Sequence, residues 1–438
     1  MNERWVSFKK LCQFIPALRR GFLWTGLARV ALRSFTNRRP FVNFILFDDP
    51  GLRTALLPLT YTRPVADLRV GIRTIAEKWA DWLAVTPGFL TESYLQPKFP
   101  TESVADAVYV NGAALPTAEL LAAVQALALG EGLFFRNDLL ACRSAEPLAY
   151  RFSTENFRRI EAGAPPLVLR GLTDIFKLNG AQITADFGRI TTGRRSQPIT
   201  DRFTAVYNES QIFIEEGADI KAASLNATGG PIYIGRGAKV MEGALIQGPF
   251  ALGENSIVHL GGKMRPNTSV GPFCKVGGEI GTSVIWGYSN KGHEGFMGNS
   301  VIGALCNWGA DTNNSNLKND LTPVKIHSYA SGQLEDTGDL FVGLTMGDFS
   351  KAGINTMFNT GTVCGVSVNV FGGGFPPKHL PSFSWGGAEE LTVYRLEKAL
   401  AVALETVSRR GIEFREADEA VFREIFRRTH ASLSTLSS

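Results

Sequence analysis

IGRGAKVMEGALIQGPFALGENSIVHLGGKMRPNTSVGPFCKV, residues 234–276, decides the fold. Read six residues at a time, it stops at Ile234, Val240, Ile246, Leu252, Val258, Met264, Val270 and Val276, all apolar. Two positions before most stops the side chain is small: Ala238, Ala244, Ser256, Gly262, Thr268 and Cys274, with Phe250 alone bulky. A period of six fits neither a 3.6-residue helix nor a two-residue alternation. It fits a parallel β-helix of hexapeptide repeats. Each hexad is one side of a triangular prism, three hexads make a coil, and coils stack at strand spacing, ~4.8 Å. The apolar residue points inward, where burying it contributes roughly 1.5–3 kcal/mol. The small residue lets the backbone turn the corner. An antiparallel sandwich with chance spacing is the competing reading, and eight stops in register disfavour it.

Outward from this stretch, Ile214 and Ile220 form an early hexad pair, so the prism starts near Thr204. After Val276 the register breaks over a segment holding Gly287, Lys291, Gly292, His293, Glu294 and Gly295. It returns at Ile302 and Trp308, then weakly at Val342, Ile354 and Val366. From Glu389 the pattern turns helical through Leu391, Leu396, Leu400 and Leu404, with a second amphipathic piece to about His430, a tail suited to covering the end of a repeat array. Upstream, FVNFILF (41–47) reads as a first strand ending in the turn Asp48-Asp49-Pro50-Gly51. AVYVNG (107–112) reads as a second strand, Thr117 caps a helix ending near Gly130, and residues 193–200 form a polar linker. The expected organisation is a basic leader (1–42), an α/β Rossmann-like domain (43–200), a left-handed β-helix (204–385) and a helical tail (386–438).

The 438 residues suffice for two or three domains. No uncharged apolar run reaches the ~18 residues of a membrane span. Five scattered cysteines without a C-x-x-C pair argue against a disulfide framework or zinc site and for a reducing cytoplasm. The net charge is +4, but residues 1–42 hold nine Lys/Arg and one acid. The remainder is therefore mildly acidic, and nothing in it suggests nucleic acid. Two readings of residues 1–42 stand: a membrane-surface segment, from Trp and Phe among arginines, or residues outside the native folded protein.

Beyond the first strand lies an arginine-rich stretch with Arg53, Arg63, Arg69, Arg73 and Lys78. Guanidiniums beside a strand end suit phosphate binding; a solvated helix face is the alternative.

Two motifs carry a family resemblance. LFDDPGLRTALLPLTYTRPVADLRVGIRTIAEKW (46–79) resembles a divergent bacterial group of sugar nucleotidyltransferases. That group is similar to the bifunctional UDP-N-acetylglucosamine pyrophosphorylase/glucosamine-1-phosphate N-acetyltransferase. GHEGFMGNSVIGALCNWGADTNNSN (292–316) resembles the acetyltransferase half of the bifunctional enzyme without a gap. Members of the group begin directly before the strand that is Asn43-x-x-Leu-Phe-Asp-Asp here, which sets the expected start at Val42.

The resemblance implies site residues. His293 falls on the catalytic base that takes a proton from the sugar amine, Asn307 and Asn316 on residues placing the amino sugar, Arg265 on the sugar-phosphate grip, and Glu279 on a further site position. Lys325 falls near a later phosphate-binding lysine. A family tyrosine is Phe296 here, a lysine is Gly281 or Thr282, and a second tyrosine is Leu317. In the N-terminal half the Gly-rich loop is reduced to 48–53, leaving Arg53 and Arg63 for the nucleotide phosphates. The family's Mg²⁺-binding aspartate is Asn111, an amide and a poor ligand for a hard cation; Asn179 and Asp174 are left as weak metal positions.

The expectation is a cytoplasmic transferase of amino-sugar nucleotide synthesis, of UDP-N-acetylglucosamine type. Its substrates are sugar phosphate and nucleotide, with acetyl-CoA as acyl donor, Mg²⁺ in the first half, and a homotrimer with coenzyme A between prisms. Two rivals remain: a nucleotidyltransferase whose β-helix serves assembly, and a non-catalytic sugar-nucleotide-binding trimer.

Overall fold

Six short strands make the N-terminal sheet of the computed structural model, which describes residues 43–430 apart from residue 103. They are β1 (Phe44–Phe47), β2 (Gly88–Leu90), β3 (Ala107–Asn111), β4 (Glu131–Phe135), β5 (Asp138–Ser144) and β6 (Arg158–Glu161), in the order β2-β1-β3-β5-β4-β6. β1 pairs in parallel with β2 and β3, so their C-terminal ends share one edge; β3–β5 and β5–β4 are antiparallel. Burial on both faces explains the continuous apolar run of β1. Helices α1 (Pro50–Ala55), α2 (Ile75–Leu83) and α3 (Ala118–Gln125) follow strands or turns. Thr117 caps α3 by accepting from Leu120 N, and Thr74 with Glu77 forms a capping box on α2. The readings of residues 1–42 lie outside the described residues.

The prism has three faces. The first runs from Ala205–Tyr207 through Leu245–Gln247 to Phe296–Gly298, the second from Ile212–Ile214 to His379–Leu380, and the third from Asp219–Ile220 to Ser384–Gly386. All eight stops from Ile234 to Val276 are buried in its core. The small residues do more than turn corners. Ser256 Oγ donates to Gly271 O (2.7 Å) and accepts from Cys274 N (2.9 Å) in the next coil. Ser289 and Ser350 repeat the arrangement. These hydroxyls satisfy backbone groups that a corner leaves unpaired.

Two parts of the sequence register need correction. Between Val276 and Ile302 the prism does not break; its sides shorten, with Ile280, Ile285, Lys291 and Met297 at inward positions. Beyond it the inward column is Met346, Ala352, Phe358, Cys364 and Val370, still six apart. Ile354 is 70% exposed, Val342 packs in the N-terminal core, and Val366 packs against the C-terminal helices. Residues 316–343 are a detour at the corner between the first and second faces, carrying the hairpin Lys325–His327/Leu334–Asp336.

Helix α4 (Leu172–Thr191) joins the two parts by packing along the second face at Phe250–Leu252, Thr268–Val270 and Val284–Ile285. The linker after it closes the open first coil. Gln197 N donates to Ile214 O (2.8 Å), Ile214 N to Ser196 Oγ (2.9 Å) and Ala222 N to Asp201 Oδ2 (2.8 Å). At the other end, Leu391–Val393 adds an antiparallel strand to the third face, not the helical start expected there. Helices α5 (Leu396–Ser408) and α6 (Glu416–Thr429) cover that end with Val366 and Phe383.

Candidate functional site

The loop Gly292-His293-Glu294-Gly295 forms a corner between the third and first faces. His293 is exposed there. Lys291, pointing inward where neighbouring coils carry Val276 and Trp308, is buried and donates Nζ to Gly277 O (3.1 Å) and His293 O (2.8 Å). It thereby fixes the loop from inside. Burial pulls its ammonium down to about 8, against the opposing pull of Glu294 and Asp311.

Coil stacking places the other residues. Lys263, Glu279 and Phe296 form one column on the first face. Arg265 heads the next column, above Gly281 and Gly298. It pairs with Glu279 at 3.0 Å, both partly exposed. The Arg265 stem lies over Gly281, and Phe296 and Asn316 lie over Gly298. Asn307 lies on the third face, aligned with Asn290 and Lys351. Asn316 lies at the far edge of the first face and donates to Asn299 Oδ1 (2.8 Å). Lys325 sits in the detour hairpin opposite Asp336 and is not brought to the His293 corner.

Sequence reasoning missed His259. Just past the inward stop, its column runs Lys221, Met241 and His259, then the glycines Gly277, Gly292, Gly309 and Gly353. A Cβ on Gly292 would meet His259 Cδ2 at 3.4 Å and Nε2 at 3.5 Å. The ring therefore lies along the bare corner, one residue from His293. Burial first, then Lys275 and His293, holds its imidazole below the usual range.

The expected nucleotide site is built differently. Arg53 is buried, donating Nη1 to Asp48 (2.8 Å) and Arg63 O (3.0 Å), and Nη2 to Thr60 O and Tyr94 Oη (3.0 Å). Arg63 pairs with Asp67 and with Asp348 of the β-helix, and stacks on Trp286. Asp49 caps α1 through Gly51 N and Leu52 N, both 2.9 Å. Asn111 is buried, donating to Leu139 O (3.1 Å) and accepting from Ala113 N (3.0 Å). The arginines read as phosphate ligands thus hold backbone and carboxylates within the protein.

The metal positions are likewise committed. Asn179 is fully buried; its Oδ1 accepts from Gly71 N (2.7 Å) and Ser269 Oγ (3.0 Å), and its Nδ2 donates to Asn267 O (2.9 Å). Asp174 caps α4 through Arg170 N (2.7 Å) and Gly171 N (3.1 Å). Five residues apart, the two point in different directions from the helix. Among the described residues no group of three or more His, Cys, Asp or Glu is placed to hold a metal. The residues present do not fit Mg²⁺.

Comparison with known proteins agrees with the N-terminal architecture. Residues 44–195 match the family described as "Sugar nucleotidyl transferase". That segment is a sugar nucleotidyltransferase-family domain. The resemblance of the 46–79 motif is thus borne out. The chain is 34% identical over 102 residues to the "Bifunctional protein GlmU" of Methanocaldococcus jannaschii, spanning 23% of either chain. It is 25% identical over 169 residues to the "Uncharacterized acetyltransferase YaiX" of Escherichia coli O6:K15:H31, covering 38% of this chain and 73% of that one. The solved structure of the polySia-specific acetyltransferase NeuO matches with 12% identity and a TM-score of 0.26, over 48% of this chain and 96% of that one. This chain therefore spans about a quarter of the length of the GlmU relative. No helix among the described residues is long and apolar enough to cross a membrane.

Proposed function

We propose that this chain is an acyltransferase acting on an amino sugar phosphate or nucleotide, with acetyl-CoA as donor and the His293 corner as its centre. The observation that carries the reading is the pairing of an exposed His293 with a second imidazole, His259, beside an Arg265–Glu279 pair on the first face. His293 takes a proton from the acceptor amine as its nitrogen bonds to the acetyl carbon and the carbon–sulfur bond breaks. The proton passes to the departing CoA sulfur. Arg265 offers its guanidinium to the acceptor phosphate. Asn307, across the corner on the third face, hydrogen-bonds the sugar, and Asn316 lies at the far edge of the first face.

The likeness to GlmU supports a UDP-N-acetylglucosamine-type product. In this reading the nucleotidyltransferase-family domain is a scaffold, since Arg53, Arg63 and Asn111 are all engaged internally. A homotrimer completes the site. α4 occupies the second face, while the first carries exposed Leu245 and Met357 for a neighbouring prism. The free buried cysteines Cys142, Cys274, Cys306 and Cys364 accord with a reducing cytoplasm.

The test is CoA release from acetyl-CoA by purified protein against a panel of amino sugar 1-phosphates and their nucleotide sugars. Acceptor-dependent release that His293→Ala lowers roughly 10²–10⁴-fold supports the reading. Release unchanged in that variant, or none with any acceptor, overturns it. Light scattering at micromolar concentration separately tests the trimer.

A further inference from the structure

Two of the arginines in the 53–73 run face neither the β1 turn nor the buried ion pairs. Arg69 and Arg73 flank a tight loop that α4 grips from below. Gly71 N donates to Asn179 Oδ1 (2.7 Å), and Ile72 N and Arg73 N donate to Asp186 Oδ2 (2.8 and 3.2 Å). Asp186 is buried and also pairs with buried Lys78. Gly71 has φ +87°, and a Cβ there would lie 2.5 Å from Asp186 Oδ2 and 2.8 Å from the Gln182 carbonyl carbon. Only glycine fits. Three successive backbone N–H groups are thus fixed, and Arg69 Nη1 donates to Ile72 O of the same loop.

Both arginines project into a cleft of two adjoining lobes, about 540 and 370 Å³, which share Arg73 and Arg194. Arg189 lines the first lobe; Arg69 and Arg236 line the second beside Tyr233. Four carboxylates also face the cleft, and two of them are engaged by hydrogen bonds. Glu215 takes Arg194 Nη2 (2.6 Å) and Tyr233 Oη (2.7 Å). Glu77 closes the α2 cap through Thr74 N (2.7 Å), and Asp81 lies 3.5 Å from Arg73 Nε without a hydrogen bond to it. Glu254, on the second lobe, is the fourth. Among the described residues neither Nη of Arg73 meets a protein acceptor.

We propose that this cleft is an anion site for an organic phosphate, with the phosphate on Arg73 between Arg69 and Arg194 and the organic part in the second lobe over Tyr233. A planar fork with both terminal nitrogens open, on a loop held by three backbone hydrogen bonds, is matched to the oxygens of a phosphate. Preorganisation removes the ordering cost that flexible surface arginines incur on binding. The site lies on the α4 side of the molecule and does not depend on the acyl-transfer reading.

Isothermal titration with inorganic pyrophosphate, then with ADP, tests it on the full chain. The expected result is saturable binding of both, weakened by added NaCl, and at least tenfold weaker in Arg73→Gln. Arg69→Gln weakens it as well. Unchanged melting of ligand-free Arg73→Gln shows that the loop still folds. Absence of saturable binding, or equal affinity in Arg73→Gln and wild type, overturns the proposal. Binding lost in Arg265→Gln but kept in Arg73→Gln overturns it in favour of the first-face site. Equal loss of pyrophosphate and ADP affinity in Arg73→Gln supports the phosphate assignment.

Discussion

Thr62 Oγ1 donates to Asp348 Oδ2 at 2.7 Å, joining the N-terminal domain to a β-helix corner 286 residues away. The same carboxylate pairs with Arg63, and its other oxygen accepts from Ala304 N at 2.8 Å. One buried side chain therefore serves both parts of the molecule. Asp348→Ala leaves Arg63 paired with Asp67 alone and two further donors without their acceptor in a buried site. It is expected to destabilise the protein by roughly 3–5 kcal/mol, measured by urea unfolding. A loss below about 1 kcal/mol would show that the two parts are held together by other contacts.

Asn179 offers a direct test of structural against metal-binding roles. Asn179→Asp keeps an oxygen for Gly71 N and Ser269 Oγ but cannot donate to Asn267 O. A fall of roughly 1–3 kcal/mol is expected from the unmatched buried carbonyl, with no recovery on adding Mg²⁺. Thermal melting with and without Mg²⁺ checks both. Recovery by the cation would restore the metal reading.

Lys291 gives a pH signature. Its folded pKa, about 8, lies below the ordinary lysine value of 10.5. Between these values the unfolded chain binds more protons, so the lysine's contribution to stability rises with pH. Below pH 8 both states are protonated and the burial cost is fully present. Lys291→Met removes the titration. The stability of the variant minus that of wild type should fall by roughly 3 kcal/mol from pH 7 to 10.5. Urea unfolding across that range measures it, and a flat difference refutes the assignment. The variant also frees His293 O, so acetyl transfer should drop at constant pH.

His259→Ala separates orientation from folding. The half-exposed corner imidazole contributes little to the core, so stability should move by less than about 0.5 kcal/mol. Loss of a group that borders His293 should lower kcat for acetyl transfer up to roughly a hundredfold. KM for acetyl-CoA should stay within a few-fold. A rise in KM with unchanged kcat would instead make His259 a donor-binding residue.

The prism was legible because eight successive coil sides bury the same kind of residue, so period and burial coincide. The signal faded where composition and burial parted. Lys291 points inward where an aliphatic residue was sought, and Ala352, Phe358 and Cys364 continue the column without looking like one. Val342, Ile354 and Val366 look right and point elsewhere. The arginine run shows the limit for sites. Linear clustering could not reveal that Arg53 and Arg63 have buried carboxylate partners, one of them 285 residues away, while Arg73 has open terminal nitrogens. His259 was visible only once the coils were stacked.

The linker that closes the first coil has a consequence for behaviour in solution. A solenoid with a bare terminal rung offers a row of backbone groups to any other chain, and two such ends can propagate a fibre. Ser196 and Gln197 occupy the rung at Ile214, and Asp201 Oδ2 takes Ala222 N together with Phe203 N and Thr204 Oγ1. What looks like a passive tether between domains thus also blocks end-to-end growth. Shortening it to stiffen the molecule would expose a seed for polymerisation.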